Sequence, residues 1–383
     1  MLFRDEKAHF AVGLGDVAVA EDGGPVAGRK GARMSGEPKA GQWPAEDLEW
    51  LGACPVCGSK ARSLLLDGVQ DDVFKCAPGT WMLYRCAQCG NGYLDPRPDR
   101  ASIGNAYASY YTHSQPDGRD DYTSLGLMRR LRRRASNAYT NRRYGTSLQP
   151  ADDWTGTLLG CAPGVRHVLD VQHRWLPRPL ANGRLLDVGC GNGAFLNHAA
   201  AAGWAAYGVD PDPKAIQQVL SLGHRAKQGG IDAYADMVGG FDAITFSHSI
   251  EHVHDPVADL RMAWDLLKPG GVLYVDTPNL GSAGLRRFRG AWRGVEAPRH
   301  LVIFERSAFV RLLLTCGFDG VVVHPRYAVA RYMHAVSRLI EMRRSPYEQP
   351  PRSVRWVSWL SAFAARLRGS SEFVTVTCIK GDR

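Results

Sequence analysis

Beyond residue 183 the chain alternates short apolar runs with segments whose apolar residues recur at helical spacing. The runs near 184–188, 205–209, 242–246, 271–276, 320–325 and 373–379 read as strands, with helical patterns between most of them. Strands alternating with helices pair in parallel and are covered on both faces, which predicts a doubly wound α/β sheet. Six strands are evident, and a weak seventh is expected at His224 to Gln228. Elsewhere the pattern changes. Residues 1–45 are rich in Gly, Ala and charge with little periodicity, and predict a flexible leader. Residues 46–98 form a compact cysteine-containing module, and 99–182 a mostly helical connector placed to cap the cleft or join the two modules. The α/β domain, 183–383, carries an insertion at 328–369. There Trp356, Trp359, Leu360, Phe363 and Leu367 share one helix face. Such a stripe is more often packed than exposed, so packing on the sheet is the favoured reading. Its mix of Trp and Arg also suits peripheral contact with a membrane.

Composition adds limits. At 383 residues the chain has room for two units and a sizeable core. No apolar run is long enough to span a bilayer, and the first residues lack the apolar centre of a signal peptide. A cytoplasmic location is the expectation. The formal charge of +9 hints weakly at an anionic partner. Part of it comes from Arg129, Arg130, Arg132, Arg133, Arg134, Arg142 and Arg143. These could meet phosphate, nucleic acid or anionic lipid. They could equally line a solvated helix that packs through Leu127, Leu131, Ala135 and Tyr139, and the lack of any further nucleic-acid motif favours that helix.

Four of the nine cysteines stand in two knuckles, Cys54-Pro55-Val56-Cys57-Gly58 and Cys86-Ala87-Gln88-Cys89-Gly90. Two pairs of thiolates separated by 28 residues fit a structural zinc ribbon with strands at Lys60 to Leu66 and Trp81 to Arg85. The expected ligands are Cys54, Cys57, Cys86 and Cys89. Such a site contributes on the order of 10 kcal/mol, enough to fold a module too small to fold alone. Cys76 stands outside both knuckles and reads as a packed thiol.

The densest chemistry lies in Leu185-Leu186-Asp187-Val188-Gly189-Cys190-Gly191-Asn192-Gly193-Ala194-Phe195. A strand enters a glycine turn and leaves as a helix, a geometry that lets backbone approach a nucleoside-bearing ligand. The glycines alternate, more tightly spaced than the G-x-G-x-x-G dinucleotide fingerprint. The next strand ends in Asp210, whose carboxylate could accept both ribose hydroxyls.

D-V-G-C-G-N-G followed by G-V-D resembles the S-adenosylmethionine (SAM) site of class I methyltransferases. The likeness continues through Phe241-Asp242-Ala243-Ile244, Glu251-His252-Val253-His254-Asp255-Pro256, Leu267-Lys268-Pro269-Gly270-Gly271 and Gly317-Phe318. The knuckle followed by Gly90-Asn91-Gly92-Tyr93-Leu94-Asp95-Pro96-Arg97-Pro98 is similar to a bacterial group that joins a four-cysteine ribbon to this domain and often modifies sugars, glycolipids or secondary metabolites. The resemblance implies a Rossmann-like seven-stranded sheet with an antiparallel last strand, preceded by a zinc ribbon. It implies SAM as cofactor and a small-molecule or glycan hydroxyl as acceptor. The alternative is an RNA methyltransferase docking through the ribbon and the Arg-rich helix.

On this likeness Asp187, Gly189, Cys190, Gly191, Asn192 and Gly193 would hold the methionine end and Asp210 the ribose. Ile231 and Asp232 would flank the adenine, and Ser247 and His248 would face the cofactor from the fourth strand. Acceptors should bind beyond the carboxyl ends of the strands, where Glu251 and His252 fall. A histidine suits removal of a hydroxyl proton near neutrality, so His252 is the candidate base, and Glu251 could orient it or bind a substrate hydroxyl. His300, in Pro298-Arg299-His300-Leu301, is the second candidate base, with Arg299 able to grip a phosphate or carboxylate. The same residues could instead serve as helix starts and loop braces. Asn279 could cap its loop or touch the acceptor.

Overall fold

The computed structural model describes residues 42–107, 126–160, 163–324, 326–367 and 369–381. The expected leader lies almost wholly outside them. The N-terminal strands are β1 (Leu48–Glu49), β2 (Arg62–Val69), β3 (Trp81–Cys86), β4 (Gly92–Leu94) and β5 (Arg97–Pro98). A 3-10 turn (Ile103–Tyr107) follows, then helices α1 (Leu127–Tyr144), α2 (Asp153–Gly160) and α3 (Pro163–Gln172). The α/β region then runs β6 (Arg184–Val188), α4 (Ala194–Ala201), β7 (Ala205–Asp210), α5 (Pro213–Ser221), β8 (Arg225–Gln228), β9 (Phe241–Ser247), α6 (Pro256–Leu266) and β10 (Leu267–Pro278). It closes with α7 (Ala283–Phe288), β11 (Val302–Ile303), α8 (Arg306–Thr315), β12 (Phe318–Val323), α9 (Tyr327–Glu341), α10 (Arg352–Leu367) and β13 (Phe373–Lys380).

Seven of these strands form one sheet in the order β12-β13-β10-β9-β6-β7-β8. β13 runs antiparallel to both β10 and β12, and the other pairings are parallel. The weak strand expected at 224–228 is β8. Central strands are apolar along their length because both faces are covered: Leu185, Leu186, Ile244, Phe246, Leu273 and Val275 are all fully buried. Local signals start the helices. Asp212 and Asp255 accept from the backbone N–H of Lys214 and Ala258 at the first turns of α5 and α6, each with a proline just after the cap. Part of the Glu251–Pro256 sequence motif is therefore a helix start.

The ribbon strands form a second sheet, β11-β4-β3-β2. Its fourth strand comes from far along the chain, with Val302 opposite Tyr93 and Ile303 opposite Gly92. Cys54, Cys86 and Tyr93 share one buried cluster with Leu186, Ile244 and Phe309 of the α/β region. The two sheets thus pack as parts of one core.

Two packing expectations are corrected. On α10 the aromatic stripe faces out: Trp356 is 66% exposed and Phe363 50%. The residues it buries are Val354, Ser358 and Ala365 instead. Trp359 stacks on Phe363 along the exposed face, with ring centroids 5.8 Å apart. On α1, Leu127 and Leu131 are also exposed, and the buried face is Ala138, Tyr139, Thr140 and Tyr144. Only Tyr139 of the expected packing set is buried there.

The connector is fastened by polar contacts. Asp170 accepts from the hydroxyls of Tyr139 (2.7 Å) and Tyr144 (2.6 Å). His173 stacks on Tyr144 at 4.3 Å, and His324 stacks on Trp175 at 4.5 Å. Burial pushes His173 down to about 3 and His324 down to about 4, from 6.5. Both rings are neutral in the fold but take up protons near pH 6.5 once unfolded, so their contribution is complete above that pH and is lost as pH falls toward 4. Thermal melts from pH 7 to 4.5 should therefore show falling stability, and His173→Phe should flatten the slope. Equal slopes for variant and parent would refute this assignment.

Candidate active site

The glycine turn leaves β6 with Gly189, Gly191 and Gly193 all at positive φ. Gly189 is the constrained one: a Cβ there would stand 2.6 Å from that of Ser249. Its N–H and that of Cys190 both donate to the Val209 carbonyl, at 2.8 and 3.1 Å, which ties the turn to the end of β7. Cys190 is buried, its thiol turned under the turn toward Gly208, so only its backbone is available to a ligand. Asn192 accepts from the Ala194 N–H at 3.1 Å at the start of α4. Asp210 ends β7 with its carboxylate fixed by the N–H groups of Gly191 (2.9 Å) and Asp212 (3.0 Å). Burial nevertheless pushes its pKa up. Ile231 is buried and Asp232 exposed in the 3-10 turn Ile231–Tyr234 after β8.

Asp187 is buried at the end of β6. One carboxylate oxygen accepts from Thr245 at 2.8 Å and from Arg174, while the other, Oδ2, has no hydrogen-bond partner. Burial raises its pKa, although Arg174 pulls the other way. Arg174 comes from the connector and lies 3.4 Å over the Phe195 ring. It carries no sequence signal. An unpartnered buried oxygen beside a glycine turn, with Asp210 preset at the neighbouring strand end, fits the amino-acid and ribose ends of SAM.

Ser247 is the last residue of β9, and His248 follows at φ 55°. The His248 ring stands between two carboxylates, 3.4 Å from Glu251 and 3.5 Å from Asp276. Asp276 also pairs with Arg326. Glu251 is completely buried and neither carboxylate oxygen has a hydrogen-bond partner. Desolvation raises its pKa, but His248, His252 and His300 outweigh it and the net shift is downward.

The two candidate histidines, 48 positions apart in the chain, meet here with ring centroids 4.7 Å apart. His252 Nδ1 lies 3.0 Å from the Arg299 carbonyl, and His300 Nδ1 2.9 Å from the Gly294 carbonyl. The Gly294 carbonyl can only accept, so Nδ1 carries the proton in His300, and that ring when neutral keeps its lone pair on Nε2. Tyr107, from the connector, places its hydroxyl 2.9 Å from His252 Nδ1. Burial pushes His300 down to about 4, so this ring is neutral near pH 7.

Arg299 does something other than grip an acceptor. It is fully buried, and its guanidinium donates to both oxygens of Asp71 (2.6 and 3.0 Å), to Glu296 (3.2 Å) and to the Ala106 carbonyl (2.9 Å). Asp71 sits between β2 and β3 and also accepts from the N–H groups of Phe74, Cys76 and Ala77. The ion pair therefore bolts the ribbon hairpin to the loop that carries His300. Asn279 braces its own loop, donating to the Ser371 carbonyl and accepting from the Gly281 N–H.

In the ribbon, Cys54, Cys57, Cys86 and Cys89 place their sulfurs within 4.8 Å of one another. Two of the separations are 3.6 and 3.5 Å, close to the roughly 3.8 Å edge of a tetrahedron with Zn–S bonds of about 2.3 Å. Gly58 and Gly90 close the knuckles, their N–H groups bonded to the Cys54 and Cys86 carbonyls. The set fits a four-thiolate zinc. Cys76 is apart from it and donates to the Ala106 carbonyl at 2.9 Å.

Residues 165–323 match the family model described as a methyltransferase domain. Among curated proteins, a ubiquinone biosynthesis O-methyltransferase of Xanthomonas oryzae pv. oryzae is 36% identical over 107 residues, covering 26% of this chain and 45% of that protein. The Xanthomonas campestris pv. campestris protein of the same name is 35% identical over 108 residues, with the same coverage. The chain thus spans less than half the length of the curated relatives it matches. Among solved structures, a SAM-dependent methyltransferase from Archaeoglobus fulgidus aligns over 60% of this chain and all of its own, with 17% identity and a TM-score of 0.40. Phosphoethanolamine N-methyltransferase 2 of Haemonchus contortus, in complex with SAM, aligns over 57% of this chain and 52% of its own, with 15% identity and a TM-score of 0.39.

Proposed function

We propose that the chain is a SAM-dependent methyltransferase that modifies a hydroxyl of a small molecule, such as a sugar, glycolipid precursor or natural product. The observation that carries this reading is the Asp210 carboxylate, held by two backbone N–H groups beside the glycine turn, within a segment that matches a methyltransferase domain. Asp187 and the turn from Gly189 to Gly193 would hold the methionine end, Asp210 the ribose, and Ile231 and Asp232 the adenine. SAM supplies a sulfonium-activated methyl group. The protein's part is to align the acceptor oxygen, exclude water and manage the hydroxyl proton.

Glu251, His252 and His300 are the groups for that proton. The neutral His300 imidazole offers a lone pair at Nε2, the form a base needs. The names of the Xanthomonas relatives, O-methyltransferases of ubiquinone biosynthesis, support a hydroxyl acceptor. Zinc at the four cysteines would be structural, because four thiolates leave no open position. The exposed Trp356–Phe363 stripe, bordered by Arg352, Arg355 and Arg366, supports a peripheral contact with an anionic membrane. No helix among the described residues is long and apolar enough to cross one.

Calorimetry with SAM tests the reading. The parent chain should bind it, and Asp210→Asn should bind about ten- to a hundredfold more weakly, the range for losing a charged hydrogen-bond acceptor. Unchanged affinity in the variant would remove Asp210 from the ribose position.

A further inference from the structure

Besides the four cysteines, one other group among the described residues has the spacing of a metal site. One ring nitrogen of His252, one of His300 and a carboxylate oxygen of Glu251 lie within 4.8 Å of one another. Three independent features separate this cluster from an ordinary acid-base pair. Glu251 is a buried carboxylate with no hydrogen-bond partner among the described residues, and His248 Nδ1 stands 3.4 Å from it. Burying such a group is costly unless a cation offsets it. Each histidine has its Nδ1 held against a backbone carbonyl, that of Arg299 or Gly294, which is the outer support typical of metal-ligating imidazoles. A single base would need only one such ring, and here two converge.

We infer that Glu251, His252 and His300 bind a divalent transition-metal ion of the manganese-to-zinc series. Two imidazoles and a carboxylate suit that class, whereas magnesium and calcium favour all-oxygen sets. Resting on the hydroxyl-acceptor reading above, this assigns the fourth position to the acceptor hydroxyl. Its O–H bond breaks with the electron pair left on oxygen and the proton passing to water, at a pKa lowered by the cation. His252 is then a ligand rather than the base.

The test is calorimetric titration of the full chain, its ribbon loaded with zinc, with Mn2+ and separately with Co2+. One further cation per chain is expected. Glu251→Gln and His300→Ala should each weaken its binding by at least about tenfold, with SAM affinity and one ribbon zinc per chain retained as evidence of folding. If the parent takes up neither ion, or all three proteins take it up equally, the cation site is overturned and His252 returns to the role of base. If the parent binds the cation but not SAM, the cation site stands and the methyl-transfer reading falls.

Discussion

Stripping the zinc proposed at the four-cysteine cluster should unfold far more than the module that carries it. Apparent zinc binding energies in such sites are on the order of 10 kcal/mol, comparable to the whole stability of a typical domain of about 5–15 kcal/mol. A free-standing ribbon would lose its own structure and leave the larger sheet intact. Here Cys54 and Cys86 lie in the same buried cluster as the central strands of that sheet, and β11 closes the ribbon sheet. Cys86→Ser, or the parent treated with a strong chelator, should therefore show one cooperative melt displaced to much lower temperature. Two separate transitions, with the main one unmoved, would show the ribbon to be an independent module.

The second large effect is expected at Arg299. Removing one partner of a fully buried ion pair leaves an uncompensated charge and costs about 3–5 kcal/mol. Arg299→Ala strands Asp71, which is 1% exposed at its side chain, and also releases Glu296 and the Ala106 carbonyl. Asp71→Ala leaves the guanidinium with Glu296 as its remaining carboxylate. Urea unfolding of both single variants and of Asp71→Ala combined with Arg299→Ala gives the coupling. The combined variant should be less destabilised than the two losses added together. Strict additivity would mean that the pair does not act as a unit.

The sequence made the chemistry-bearing local patterns legible and left the long-range ones hidden. The four cysteines, the glycine turn and Asp210 could be read because each depends on spacing within a few residues, and the structure gathers them as spaced. Glu251, His252 and His300 were singled out separately, one pair from a strand end and one residue from a loop, and the fold brings them together. Their catalytic roles remain the proposal made above. Arg299 was misread because an arginine before a histidine gives no sign of a partner 228 positions away. Tyr107 and Arg174 were missed for a similar reason, since both reach the site from a connector with no recognisable motif. On α10, periodicity identified an apolar face but could not say that the opposite face of small residues would be the one to pack.

The pairing of β11 with β4 also sets an order of events during synthesis. Tyr93 and Leu94 leave the ribosome roughly 200 residues before Val302 and Ile303 exist to cover them. At translation rates of about 5–20 residues per second, the nascent ribbon waits for about 10–40 s with one sheet edge unpaired. Open strand edges invite pairing with other chains. A slow stretch of translation between residues 94 and 302 would lengthen that exposure, whereas one placed after residue 303 would not.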